Sequence, residues 1–485
     1  MSRFIAFAVL VIVLQLAPFA RAEPAPERRY SAADVQADFA ELYRRLAVSH
    51  FDLYARRSKA EYDALFAAMI ASFNHPMSAF EVRVAFQKFM AYGRVAHSRI
   101  EFPSDVYGAF RDGNGRAFPI FVRVIKGRVF VTDNASEAPI VPGDEILALN
   151  GLAATKWVER LSAHISADND YMTDTLLENR FAQLLWLELG AVDRFNLTAR
   201  DARGQTREVS VPALTRTEAK AALARHAPTL DLSWDARVFK MLGDVGYLRP
   251  GPFYNNDPNA TNIWDVSLFR AFIDSSFDAA LRANARALVI DLRDNPGGDN
   301  SFSDLMVAWY ATKPFRFARD FRIKVSEAAI ESNRKRLSLA GNDKDAISAK
   351  LDAAYARHRV GEVFSFDIPG VQPRAGARFT GKVYLLINRH SYSNTVQVAA
   401  LSRDYGFATI VGEETSDLAT TYGAMEQFTL PRTGIEAGFP KAQIIRVNGD
   451  VSARGVVPDV AIETPIVEPP GDPVLQRALA LAGAR

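Results

Sequence analysis

Apolar residues recur at helical spacing through the first part of the chain. In residues 32–46, Val35, Phe39, Leu42 and Leu46 fall on one stripe behind a Ser31 cap, and residues 59–73 and 78–90 repeat the pattern. Residues 23–105 therefore read as a helical domain. From Ala117 the period drops to two: residues 118–131 read as two strands across a turn at Lys126-Gly127, and a Pro142-Gly143 turn feeds a short strand that closes at Asn150-Gly151. Helix-like stretches at 156–165 and 174–189 and strands at 194–199 and 207–211 complete a β-domain over 106–215. A third regime starts near Leu230, with a strand at 245–250, a helix at 264–284 and an almost unbroken aliphatic run at 287–292 that reads as a buried parallel strand. That run ends in a glycine turn at 293–299 and a helix at 303–310. Residues 383–387 form a second such run, leading through a polar cluster at 388–394 into a helix with Val396, Ala399 and Ala400 on one face. The fold class is α/β and multidomain, with an α/β unit over 230–465 and a tail over 466–485. Residues 326–359 are rich in Ala, Lys, Arg and Glu and poor in large apolar residues, which predicts a solvated excursion, with a lid as the alternative.

Composition narrows the classes. The chain has 485 residues, 48% hydrophobic and 24% charged, and a formal net charge of +2 with the basic residues scattered, so neither nucleic acid nor an anionic membrane is expected as a partner. Arg3, an apolar run over 4–14 and Ala20-Arg21-Ala22 make a signal peptide over 1–22, cleaved after Ala22, and predict a periplasmic or secreted protein. The alternative, an N-terminal anchor, has an apolar run short of the roughly 20 residues a bilayer span needs. With no cysteine, disulfides, thiolate chemistry and cysteine metal sites are excluded, and no metal or other cofactor is expected.

The candidate chemistry sits at turns. Ser393 lies between a strand and a helix, where a sharp turn lifts a hydroxyl above a sheet and aims the first free amides of the helix at the same point. The competing reading is that Ser391, Ser393 and Asn394 merely cap the helix. The Gly297-Gly298 turn presents backbone amides in the same manner. His97 lies where the helical domain ends, and is either a packing residue or the base a nucleophile requires. The phrase 142–151, Pro-Gly-Asp-Glu-Ile-Leu-Ala-Leu-Asn-Gly, resembles a PDZ domain, which binds an extended peptide as an added strand; a ligand-free structural β-domain is the alternative.

Taken in order, Gly246-Tyr247, Asp291-Leu-Arg-Asp-Asn-Pro-Gly-Gly298, residues 388–393, Val411-Gly-Glu-Glu-Thr415 and Gly455-Val-Val-Pro-Asp459 resemble the S41 peptidases, the carboxy-terminal processing proteases and their tricorn-like relatives. The resemblance covers residues 31–464. It implies a crotonase-like ββα core, an N-terminal helical domain and an inserted PDZ-like β-domain. It places the nucleophile on Ser393 and the oxyanion-hole amides on Gly297, Gly298 and Asn394. Processing proteases take a lysine base from the segment after Thr415, but residues 416–423 contain none; the tricorn-like branch uses an N-terminal histidine, which falls on His97, with His390 as the alternative. Val396, where the processing branch often has Glu, fits the tricorn-like side. Ala96 and Ser452 depart from the family at the two positions that orient the base, leaving Asp450 as the nearest carboxylate for that role. The resemblance thus implies a serine endopeptidase acting on extended or unfolded polypeptide, with an inactive peptide-binding protein or an ester hydrolase as alternatives. The oligomeric state is not readable from the chain.

Overall fold

The computed structural model describes residues 28–225, 232–338, 347–467 and 469–483; the expected signal peptide lies outside them. Among the described residues no helix is long and apolar enough to cross a membrane.

A six-stranded sheet forms the centre, in the order Val460–Ala461, Thr409–Gly412, Lys382–Ile387, Ala287–Asp291, Val245–Arg249, Val238–Leu242. All neighbours are parallel except the last pair. Both faces are covered, which is why its strands read as continuous aliphatic runs. Leu248, Leu288, Ile290, Leu385 and Ile387 point to one face, under the helices Ser267–Arg282, Asn300–Val307 and Asn394–Asp404. Val245, Tyr247, Val289, Tyr384, Leu386 and Val411 point to the other, and there the helix Pro473–Ala482 covers them. This helix, within the stretch expected to be a tail, thus closes the core. Asp472 caps that helix by accepting from Leu475 N, and its carboxylate also takes two hydrogen bonds from the buried Arg293 guanidinium.

A second, antiparallel sheet has the order Val363–Ser365, Asp320–Lys324, Glu436–Ile445, Thr421–Thr429. The N-terminal helices Ala32–Ser49, Lys59–Ser72 and Ala79–Tyr92 begin at Ser31, Ser58 and Ser78 caps. Val35, Phe39, Leu42 and Leu46 are all buried, as their spacing predicts, and they share one core with Phe428, Leu430, Ala437 and Phe439 of the second sheet. The helical region therefore has no separate core of its own.

Residues 120–212 contain an antiparallel sheet in the order Ile120–Ile125, Arg128–Asn134, Glu145–Leu149, Arg194–Arg200, Thr206–Pro212, with helices Ala154–Ser162 and Asp170–Leu189 packed on it. Its hairpin turns at Lys126-Gly127 and Asn150-Gly151 have positive φ at both residues, as two-residue hairpins require.

The expected solvated excursion is instead packed. Helices Glu327–Leu337 and Ile347–Tyr355 bury Ala328, Ala329, Asn333, Leu351 and Tyr355. On the first helix small residues make the contact face, and its Arg336 pairs with the buried Glu426, so a count of large apolar residues misses the docking.

Candidate active site

The turn that carries Ser393 is built by side chains of the polar cluster itself. Asn388 exchanges hydrogen bonds with Asp294, accepting from its N–H at 3.1 Å and donating to its carboxylate at 3.0 Å. Ser391 Oγ, fully buried, donates to Leu292 O at 2.8 Å and accepts from Asn388 N. Asn295 Oδ1 accepts from both Gly297 N and Thr395 Oγ1, and Tyr392 N donates to Asn295 O. These bonds lash the Ser393 turn to the glycine turn beside it. Ser393 itself is held at φ 55°, ψ −124°, a strained conformation for a residue with a side chain, and its hydroxyl does not cap the helix it precedes. Ser391 is thus structural, while the Ser393 hydroxyl has no hydrogen bond among the described residues.

Gly297 faces the serine directly. A Cβ there would lie 2.6 Å from Tyr392 O, 2.8 Å from Asn394 N and 2.9 Å from Ser393 Cβ, so only glycine lets the two turns meet. Its amide, expected in an oxyanion hole, is already committed to Asn295 Oδ1 at 2.9 Å. Gly297 therefore contributes its missing side chain and not its N–H. The amides of Gly298 and Asn394 have no acceptor among the described residues. Two free donors next to a free hydroxyl can hold a negatively charged oxygen that develops on a carbonyl attacked by that hydroxyl.

His97 is buried, and its ring stacks on Tyr392, the residue before Ser393, with centroids 5.6 Å apart. Burial first, and then the Arg99 guanidinium, push its pKa down to about 3, against an opposing hydrogen bond to the Tyr422 main chain. It is held neutral, as a base must be before it acts, but no hydrogen bond joins it to Ser393 Oγ in this resting arrangement, and its Nδ1 has no partner. His390 turns the other way, toward Glu178 Oε2 at 3.1 Å and Asn179. Asp450, expected as the orienting acid, makes no hydrogen bond to His97. Its carboxylate binds the N–H and hydroxyl of Ser452, closing a turn of its own exposed loop.

Two carboxylates beside the site escaped sequence reasoning. Asp417 Oδ2 accepts the Ser393 N–H at 2.6 Å and its Oδ1 accepts Leu418 N at 2.8 Å; burial, and then the neighbouring Asp168, push its pKa up to about 7. Asp168, its side chain fully buried, accepts Ala96 N at 3.2 Å, and burial pushes it up to about 6. Asp417 lies within residues 416–423, which the family pattern marks only by a lysine that is absent here. Asp168 lies in a polar segment before a helix, with no motif to mark it. Among the described residues no set of three His, Asp or Glu side chains converges as metal ligands.

Residues 245–462 match the model of Peptidase family S41. The whole fold is similar to the crystal structure of mature CPAF, with a TM-score of 0.61 and 16% identity, covering 89% of this chain and 92% of that one. Mature CPAF complexed with lactacystin matches equally well, with a TM-score of 0.61, 16% identity and coverage of 89% and 94%. The photosystem II D1 C-terminal processing protease matches at a TM-score of 0.46 and 16% identity, covering 88% of this chain and 93% of that one. No curated protein matches the chain.

Proposed function

We propose, for a chain whose residues 245–462 match the model of Peptidase family S41, an exported serine endopeptidase of that family that cleaves extended or unfolded polypeptide, with Ser393 as nucleophile and His97 as base. One observation carries the reading. Ser393 sits on a strained turn, its hydroxyl without a hydrogen bond among the described residues, next to the free amide of Asn394 and packed against the Gly297-Gly298 turn, whose Gly298 amide is also free. The Ser393 oxygen bonds to the substrate carbonyl carbon as its proton passes to the His97 imidazole, and the carbonyl electron pair moves onto the oxygen held by the two amides. Collapse of that intermediate breaks the C–N bond, with His97 returning the proton to the leaving amine. Water, deprotonated by His97, then attacks the acyl ester and restores the serine. The N-terminal pattern over 1–22 supports export, and the 142–151 phrase supports a PDZ-like module in the antiparallel sheet.

The test is cleavage of casein by the mature chain beside Ser393→Ala and His97→Ala, together with labelling by a serine-directed phosphonate. Each substitution is expected to lower turnover by about 10⁴ or more, and Ser393→Ala to abolish labelling. Turnover unchanged by either substitution refutes the assignment. The lack of a hydrogen bond between His97 and Ser393 favours one second reading, an inactive peptide-binding protein with a protease fold. An unreactive wild type that still binds peptide selects it.

A further inference from the structure

Asp450 is spent on its own turn, which leaves His97 without an identified acid to fix its ring and to stabilise the imidazolium formed during reaction. Resting on the Ser393–His97 reading above, we propose that Asp168 is the positioning acid of His97, pairing with its Nδ1–H. The two segments run side by side, joined on either side of the histidine. Ala96 N donates to Asp168 Oδ2, and Ser166 Oγ donates to Ser98 O at 2.6 Å. His97 is the residue between those two anchors. Both His97 Nδ1 and Asp168 Oδ1 are buried with no hydrogen-bond partner among the described residues. In the tautomer a catalytic base requires, the first is a donor and the second an acceptor, so pairing the two would satisfy both.

The other nearby carboxylate is less suited. Asp417 has both oxygens committed, to Ser393 N and Leu418 N, and so positions the nucleophile's backbone. Asp168 has one oxygen committed and one open. Arg56 Nη2, 3.8 Å from Asp168 Oδ1, favours the ionised carboxylate, the form in which it stabilises an imidazolium.

Asp168→Asn keeps the acceptor for Ala96 N and removes the charge. It is expected to lower kcat by about 10²–10⁴ with KM within threefold of wild type, with phosphonate labelling slowed by the same factor. Asp168→Glu is expected to recover part of that loss, which a merely structural role does not predict, and Asp450→Asn is expected to match wild type. A readout independent of turnover is the ¹H–¹⁵N spectrum of His97: Asp168→Asn is expected to move the His97 ring nitrogens to a different tautomer balance and to lower its pKa. Unchanged kcat and an unchanged His97 spectrum in a folded Asp168→Asn protein overturn the proposal. A drop confined to Asp450→Asn does so as well. Full turnover by His97→Ala instead refutes the Ser393–His97 reading, an outcome distinct from either of these.

Discussion

At Gly297 the absence of one carbon decides whether the site exists. Its φ is +88°, and a Cβ would press on Tyr392 O and Asn394 N at once, two backbone atoms that cannot yield without moving Ser393. Gly297→Ala is expected to cost about 2 kcal/mol or more in urea unfolding and, on the proposed function, to reduce turnover to the level of Ser393→Ala, because strain and displacement fall on the Ser393 turn. Asp304, in the helix that follows the same turn, gives a pH-dependent test. Burial, only partly opposed by the Asn300 hydrogen bond, pushes its carboxyl up to about 7, and its Oδ1 has no partner. A carboxyl whose folded value lies above its unfolded value of about 3.9 lends stability that is fully present below about pH 4 and is lost as pH rises through about 7. Asp304→Asn removes that loss. It is expected to raise Tm relative to wild type at pH 8 and to give no such gain at pH 4, followed by circular dichroism.

The helix Glu327–Leu337 shows how an element can dock through charge where it lacks a large apolar face. Glu426 lies beneath it on the strand Thr421–Thr429, where it accepts from Arg336, from Ser332 Oγ at 2.5 Å and from Lys441 Nζ at 2.5 Å. Lys441 and Glu426 have side chains only 5% and 2% exposed. Removing the carboxylate strands the buried Lys441 ammonium out of water, so Glu426→Gln is expected to cost about 3–5 kcal/mol in chemical unfolding. The long helix Asp170–Leu189 docks differently, by sealing a strand edge. Its Glu178 accepts Val124 N at 2.9 Å and its Asp174 accepts Gly127 N at 3.2 Å. The outer edge of Ile120–Ile125 is therefore occupied by carboxylates along part of its length. Glu178 also accepts from Arg389, whose guanidinium binds Glu413, so the same helix braces the loop that leads to Ser393.

Across the whole molecule, three cores meet at the site. Ala96 belongs to the core of the antiparallel sheet over 120–212, against which Tyr392 also packs; Ile100 belongs to that of the N-terminal helices; Ile387 and Val396 belong to that of the central sheet. The bridge between Arg99 and Gly438 ties the His97 segment to the second sheet. Much of this was legible in the chain. The helical stripes, the two hairpin turns and the buried parallel strands follow from periodicity and turn chemistry, because each is set by neighbours a few residues away. Ser393 and the glycine turn were legible for the same reason, as strand-turn-helix punctuation. What the chain does not show is set by a rotamer or by a remote partner. The Gly297 amide is taken by an Asn295 side chain that the sequence shows but whose rotamer it does not, and the C-terminal helix reads as a tail until the uncovered sheet face is known. Asp168 meets Ala96 across 72 positions, and nothing in its surroundings along the chain marks it. The sequence by itself determined the local elements, the strained serine turn and the lack of any thiol chemistry, since these depend on residue type and spacing. Only the tertiary structure decided which amides stay free, which carboxylates lie beside His97 and which helix braces the nucleophile loop, because desolvation and hydrogen-bond pairing are properties of groups brought together from distant parts of the chain.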